Sequence, residues 1–281
     1  MDIDRIRSYA KINLALNVIR KNKFLHKIES IVAFIALYDE ISIRLSKSHK
    51  NKILFIGKFS KNIKKENTVS KLLNLLKKKR LLKNKKFEII IKKHIPEKAG
   101  LGGGSMNAAT ILKYFIKRKI INLTKKEIIL ISKSVGSDVI LGLNQTYSIL
   151  NSKNEIKYFR NCKSLYTLIV KPNFGCSTKS IFSSVKKFHK AKFDMPKRSM
   201  FDLDYLKKQR NSLEPIVMSK YSKLREIKSF LENFTKPVFV RMTGSGSSLV
   251  AYFPSKERCD NAKKRFNKKY KNYWCISSKT I

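Results

Sequence analysis

A chain of 281 residues that is 42% hydrophobic can bury a substantial core, as one large domain or two modest ones. It contains no uninterrupted apolar run of the roughly 18 residues a membrane span needs, and its opening, Met1-Asp-Ile-Asp-Arg5, argues against a signal peptide. Net charge is +44, from 63 Lys and Arg against 19 Asp and Glu, enough to attract polyanions non-specifically. Lysines fill the whole length rather than one stripe and heavily outnumber arginines, whereas base readout favours Arg. The charge therefore reads as solvated faces, with no specific nucleic-acid partner. Four cysteines and four histidines are scattered without metal-ligand spacing, which predicts reduced thiols, no metal held by protein ligands alone, and a cytoplasmic setting.

In chain order, residues 9–19 alternate apolar and polar as a half-buried strand does, with Lys11 and Asn13 out of phase with Ile12 and Leu14. Further strands are predicted over 31–36, 40–45 and 52–56. Asn67-Thr68 caps a helix over 69–82 whose apolar stripe is Val69, Leu72, Leu73 and Leu76. A strand over 87–95 then runs into a segment holding four of the chain's ten glycines, Gly100, Gly102, Gly103 and Gly104, followed by a helical pattern from Ala108. Strand, glycine turn and helix start together make an anion site. Glycine lets main-chain N–H groups approach phosphate oxygens, and the helix start adds unpaired donors and the positive end of its dipole. A tight strand-to-helix turn with no ligand is the plainer alternative, but one or two glycines would serve that. No Lys-Ser or Lys-Thr pair closes the cluster as in a Walker loop. The dinucleotide spacing fails as well, because Ser105 stands where a third glycine is required.

A capping box at Thr124 and Glu127 starts a helix ending near Ser134, and Gly136-Ser-Asp138 turns into an apolar stretch. Asp138, flanked by Gly, Ser and apolar residues, reads as a functional carboxylate or as a turn cap. Residues 151–163 are polar without periodicity, and a domain boundary is placed at 155/156. The second half reads as a strand (165–171), helices (178–188, 202–210, 217–232), a strand (237–242), a Gly244-Ser-Gly246 turn, a strand (249–253), a helix (256–269) and a strand (273–277). This order fits an α+β protein.

Three segments, Ser8-Tyr-Ala-Lys-Ile-Asn-Leu-Ala-Leu16, Pro96 to Ala109 and Arg241-Met-Thr-Gly-Ser-Gly-Ser-Ser-Leu-Val-Ala251, resemble in this order the three motifs of the GHMP kinases. The resemblance implies a two-domain α+β fold with an N-terminal catalytic domain (1–155), a ferredoxin-like C-terminal domain (156–281) and the active site between them. It implies ATP as phosphoryl donor, with Mg²⁺, and a small-molecule alcohol as acceptor. The forms of the first two motifs point to the branch whose acceptor is linked to cytidine diphosphate, in non-mevalonate isoprenoid precursor synthesis. A homoserine or mevalonate type of acceptor, or a polyanion-binding protein on a kinase-like scaffold, are the alternatives. As for assembly, monomer and homodimer stay open.

Residue by residue, the resemblance implies that Lys11 and Asp138 are catalytic. The ATP-binding segment is Pro96, Glu97, Lys98, Ala99, Gly100, Leu101, Gly102, Gly103, Gly104, Ser105 and Met106, with Ser105 a candidate Mg²⁺ contact; Asn67 and Lys93 fall where relatives approach adenine. Asn13, His26, Thr178, Phe182, Gly244 and Gly246 are implied on the substrate side, His26 and Phe182 at the cytosine. Two departures stand out: Ile140 where relatives commonly have Pro, and Leu25 where they carry a tyrosine. Plainer readings remain for several: core for Phe182, solvated surface for Asn67 and Lys93, a hairpin turn for Gly244 and Gly246.

Overall fold

The computed structural model describes residues 3–21, 26–48 and 50–281. It contains β1 (Asp4–Lys21), β2 (His26–Leu45), β3 (Lys52–Ile56), α1 (Thr68–Lys78), β4 (Phe87–Lys92), α2 (Gly103–Lys117), α3 (Lys125–Val135), β5 (Tyr147–Leu150), β6 (Ile156–Phe159), β7 (Tyr166–Lys171), α4 (Thr178–Ser183), α5 (Leu203–Lys207), α6 (Glu214–Lys220), α7 (Ser222–Thr235), β8 (Phe239–Met242), β9 (Leu249–Phe253), α8 (Lys256–Lys269) and β10 (Trp274–Lys279). Short 3-10 helices cover Val139–Leu143 and Arg198–Phe201. The strand order is β3-β4-β2-β5-β6 with β1 paired to β2 in one sheet, and β10-β7-β9-β8 in the other. The first is mixed, since β3 and β4 run parallel; the second is antiparallel throughout.

Two compact units emerge, neither contiguous in sequence. One takes Met1–Ala10, Leu37–Glu97 and Gly102–Gln145; the other takes Lys11–Ala36, Lys98–Leu101 and Thr146–Ile281. The first unit buries the apolar stripe of α1 (Val69, Leu72, Leu73, Leu76) and the inner face of α2 (Ala108, Ala109, Ile111, Leu112, Phe115) with Ile41, Ile43, Ile89 and Ile91 of the sheet. Burial of these faces, at about 25 cal/mol per Å² of apolar surface, is what fixes the helices on the sheet. In the second unit, Leu168, Val170, Leu249, Ala251 and Phe253 pack with Leu224, Ile227 and Leu231 of α7 and Ala262 and Phe266 of α8.

Where two strands are expected over 31–36 and 40–45, the chain keeps a single strand, β2. Nothing between Ala36 and Glu40 breaks it: no Gly or Pro occurs there, and Asp39 is wholly buried and hydrogen-bonded rather than turned to solvent. The polar stretch after Leu150 contains β6, antiparallel to β5. Asn151 organises the turn between them, its Oδ1 accepting from the N–H groups of Lys153 (3.0 Å) and Glu155 (2.9 Å). The helix expected over 217–232 is two, broken at Tyr221, and the one expected over 178–188 stops at Ser183. All four cysteines are free; burial raises the Cys162 thiol and pushes those of Cys176 and Cys259 up to about 11 and that of Cys275 to about 12, which disfavours the reactive thiolate at each. No helix among the described residues is long and apolar enough to cross a membrane.

Candidate active site

The glycine turn becomes an open helix start in the first unit. Gly102 is the N-cap of α2 with φ of 71°, a left-handed conformation that glycine adopts without penalty, and no side chain caps the helix. The first intrahelical bond runs from Met106 N–H to Gly102 O at 2.9 Å. The N–H groups of Gly103, Gly104 and Ser105 precede it, so helix geometry leaves them without intrahelical acceptors and pointing outward along the axis. A carboxylate or phosphate is what such a helix start binds. Close packing lets the turn sit so low: a Cβ on Gly104 would lie 2.8 Å from Thr68 Oγ1, and one on Gly103 would lie 3.0 Å from Ile95 Cγ2 and 3.3 Å from Lys93 Nζ. Met106 is fully buried beneath.

The turn bearing Asp138 lies beside this helix start. A Cβ on Gly136 would stand 3.7 Å from Ser105 Oγ and 3.8 Å from Thr68 Cγ2. Asp138 opens the 3-10 helix Val139–Leu143, and its side chain makes no cap hydrogen bond to that helix. Asn67, by contrast, is a working N-cap: its Oδ1 accepts from the N–H groups of Val69 (3.0 Å) and Ser70 (3.1 Å), and its Nδ2 donates to Lys64 O (3.0 Å). Lys93 is buried and paired with Asp39.

In the second unit parts of all three motifs meet on one another's main chain. Lys11 is buried at 4% exposure; its Nζ donates to Asn13 Oδ1 at 2.6 Å, and its N–H donates to Leu101 O at 3.1 Å. Leu101 is the residue immediately before the helix N-cap, so β1 is hydrogen-bonded to the entrance of the glycine turn. Asn13 N–H donates to Thr243 Oγ1 (3.0 Å), whose hydroxyl donates to Gly100 O (3.2 Å). Asn13 Nδ2 donates to Ser30 Oγ at 2.8 Å. Ser247 and Ser248 N–H donate to Lys98 O (3.2 Å) and Ala99 O (3.3 Å). Gly100, at φ 73°, has no room for a side chain, since a Cβ would fall 2.0 Å from Thr243 O. Gly244 is pressed against Gly100 in turn, and Gly246 against Met242 and Cys176. Pro96 is buried, while Glu97 and Lys98 are exposed.

Thr178 Oγ1 lies 2.9 Å from Ser245 Oγ, joining the start of α4 to the third motif. One turn on, Phe182 sits 5.3 Å from the His26 ring centroid. Phe188 lies 6.4 Å from that centroid on a nearly parallel plane. His26 Nε2 is buried without a hydrogen-bond partner among the described residues. Burial, and then the Lys21 cation, hold the His26 imidazole below its ordinary value, which keeps it neutral at pH 7. A neutral imidazole with an unused nitrogen between aromatic rings suits a planar heterocycle. The departure at Leu25 lies outside the described residues.

Sequence reasoning missed Asp39, Thr243, Ser245, Ser30, Asn211 and Phe188. Asn211 Nδ2 donates to Met242 O (2.7 Å) and Gly244 O (2.8 Å), pinning the third motif. Asp39 was discoverable, because it shares the inward phase of its strand with Ile41 and Ile43.

The GHMP kinases N terminal domain model matches residues 67–152, and the GHMP kinases C terminal model matches 185–272. A 4-diphosphocytidyl-2-C-methyl-D-erythritol kinase of Pelagibacter ubique is 53% identical over 281 residues, the whole of both chains. The chain belongs to the GHMP kinase family. A 4-diphosphocytidyl-2-C-methyl-D-erythritol kinase of Clostridium tetani is 30% identical over 99% of this chain and 100% of its own. Among solved GHMP folds, a 4-(cytidine 5'-diphospho)-2C-methyl-D-erythritol kinase superposes with a TM-score of 0.78 at 20% identity, covering 99% of this chain and 100% of that one. Homoserine kinase from Cytophaga hutchinsonii follows at 0.74 and 15%, covering 100% and 95%. GHMP membership makes the protein an ATP-dependent kinase with the two-part α+β fold of the family.

Proposed function

We propose that the protein transfers the γ-phosphoryl group of ATP to the 2-hydroxyl of 4-diphosphocytidyl-2-C-methyl-D-erythritol, releasing ADP. The carrying observation for the chemistry is the uncapped start of α2, entered through a Leu101 carbonyl that Lys11 N–H holds. The choice of alcohol rests on the full-length 53% identity to a relative of that name. Phosphoryl transfer asks a protein mainly for position and charge cancellation. The N–H groups of Gly103, Gly104 and Ser105 supply donors for the β- and γ-phosphates. Mg²⁺, bound to a triphosphate, takes most of its ligands from phosphate and water, so the Ser105 hydroxyl at the helix start fits as its protein contact, and the ion would offset phosphate charge. Lys93 and Asn67 stand with Pro96–Met106 as the ATP-side residues.

On the acceptor side, Lys11 directs its cation at the hydroxyl and lowers its effective pKa, while Asp138 either orients that hydroxyl or takes its proton as general base. Asn13 holds the Lys11 ammonium and the sugar alcohol. His26 and Phe182 take the cytosine, with Thr178, Gly244 and Gly246 at the intervening groups. Residues 1–155 and 156–281 are, in this reading, the nucleotide-binding and C-terminal domains in chain order, and the protein works in the cytoplasm as a monomer or homodimer. A coupled ADP-release assay with Mg²⁺ and a panel of alcohols, with and without the cytidine group, tests it. Turnover confined to the cytidylyl substrate is expected; turnover of homoserine or mevalonate instead would overturn the choice of alcohol. Asp138→Asn should lower kcat by roughly 10²–10⁴-fold with nucleotide affinity within a few-fold, and near-normal turnover in that variant would remove Asp138 from the mechanism.

A further inference from the structure

Asp39 is a wholly buried carboxylate in the middle of β2, on the phase where Ile41 and Ile43 face the core. Its Oδ1 accepts from the N–H groups of His94 (2.8 Å) and Ile95 (2.9 Å), where the chain leaves β4 for the glycine turn. Its Oδ2 accepts from Asn107 Nδ2 (2.9 Å), one turn into α2 on the far side of that turn, and from the Lys93 ammonium. One side chain thus ties the entry and the exit of the glycine turn together. It also fixes the ammonium against the main chain of Gly103, where a Cβ would come 3.3 Å from Lys93 Nζ.

Packing alone does not ask for a carboxylate here, since an aliphatic residue fills the two following inward positions. A buried ion pair adds little net stability over apolar residues of like size. Placed under a helix start, however, the pair sets the ammonium against Gly103 and braces the main chain on both sides of the open N–H groups where an anion would sit. We infer that Asp39 is a positioning residue for nucleotide binding: it holds Lys93 beneath Gly103 and locks both ends of the turn. This rests on the reading of Gly102–Ser105 as the phosphate seat.

Asp39→Asn keeps the acceptor for His94 and Ile95 but turns an amide donor toward two donors, Lys93 and Asn107. The ammonium then loses its partner and its place. Calorimetric titration of the full-length protein with a Mg²⁺ complex of a non-hydrolysable ATP analogue should show at least 10-fold weaker binding than wild type. KM for ATP should rise by a similar factor, with KM for the alcohol within about 2-fold. Asp39→Asn/Lys93→Met removes the unpaired buried cation, so it should recover thermal stability while affinity for the analogue stays low. Wild-type affinity in either variant would overturn the inference, the double variant deciding it should the single one not fold. Failure of the wild-type protein itself to bind the analogue would instead remove the phosphate seat, and the inference with it.

Discussion

The chain has two glycine turns of similar composition that use their main chain in opposite ways. At Gly102–Ser105 the left-handed N-cap leaves a row of N–H donors open at a helix start. At Thr243–Ser248 four N–H groups are spent within the protein: Thr243 N–H bonds Ser248 O, Gly246 N–H bonds Thr243 O, and Ser247 and Ser248 bond the carbonyls of Lys98 and Ala99. Glycine in the first turn lets a helix start pack against the side chains of Ile95, Lys93 and Thr68, whereas in the second it makes room for another stretch of the protein's own backbone. Glycine content alone does not separate a binding loop from a packing platform; the destination of the N–H groups does.

Substitutions at the two turns should therefore fail differently. The largest effect is expected at Gly100→Ala, where a Cβ would sit 2.0 Å from Thr243 O on a backbone with φ of 73°. Overpacking and left-handed strain together should cost about 2–4 kcal/mol, read as a lowered denaturation midpoint, and turnover should fall with it. Gly104→Ala is the counter-case. Its Cβ meets only the rotatable Thr68 hydroxyl at 2.8 Å, and Ala is favoured over Gly in a helix by up to about 1 kcal/mol. The fold should hold or gain stability while KM for ATP rises roughly 10-fold; unchanged KM would mean the open donors do not meet the phosphates.

Smaller effects belong to the aromatic pair. Phe182→Ala should weaken the cytidylyl substrate by about 1–3 kcal/mol, the worth of one stacked base, with KM for ATP unmoved. The pH dependence follows from the direction of the His26 shift. Its folded pKa lies below the ordinary value of about 6.5, so the unfolded chain binds more protons between the two. Its contribution to stability is retained above 6.5 and lost as pH falls through that value toward the folded pKa. Cytidine 5'-monophosphate affinity should likewise drop between pH 7.5 and 5.5, and His26→Gln should flatten that dependence.

Much of this was legible in sequence because its signals are local. The strand, four glycines and apolar helix face around residue 100 specify their geometry within about 30 residues, and the Thr124–Glu127 capping box is present as read. Asn67 illustrates a local signal that is real in its plain sense, since its side chain caps α1. What escaped depends on partners far along the chain. Asp39 falls between the strands expected over 31–36 and 40–45, and although it keeps the phase of Ile41 and Ile43, its partners at 93–95 and 107 lie more than 50 residues away. Asn211, whose amide bonds Met242 O and Gly244 O, was invisible for the same reason. β6 was missed because its four residues are too few to show a period, and Ile156 and Phe159, its two half-buried positions, lie on opposite faces of the strand.

Amide-resolved hydrogen exchange of Gly103, Gly104 and Ser105, with and without a Mg²⁺ complex of a non-hydrolysable ATP analogue, probes the open helix start most directly. Strong slowing at these three amides with the triphosphate analogue, and little with AMP, is the predicted result. Equal exchange at all three in the presence of a saturating triphosphate would contradict the account.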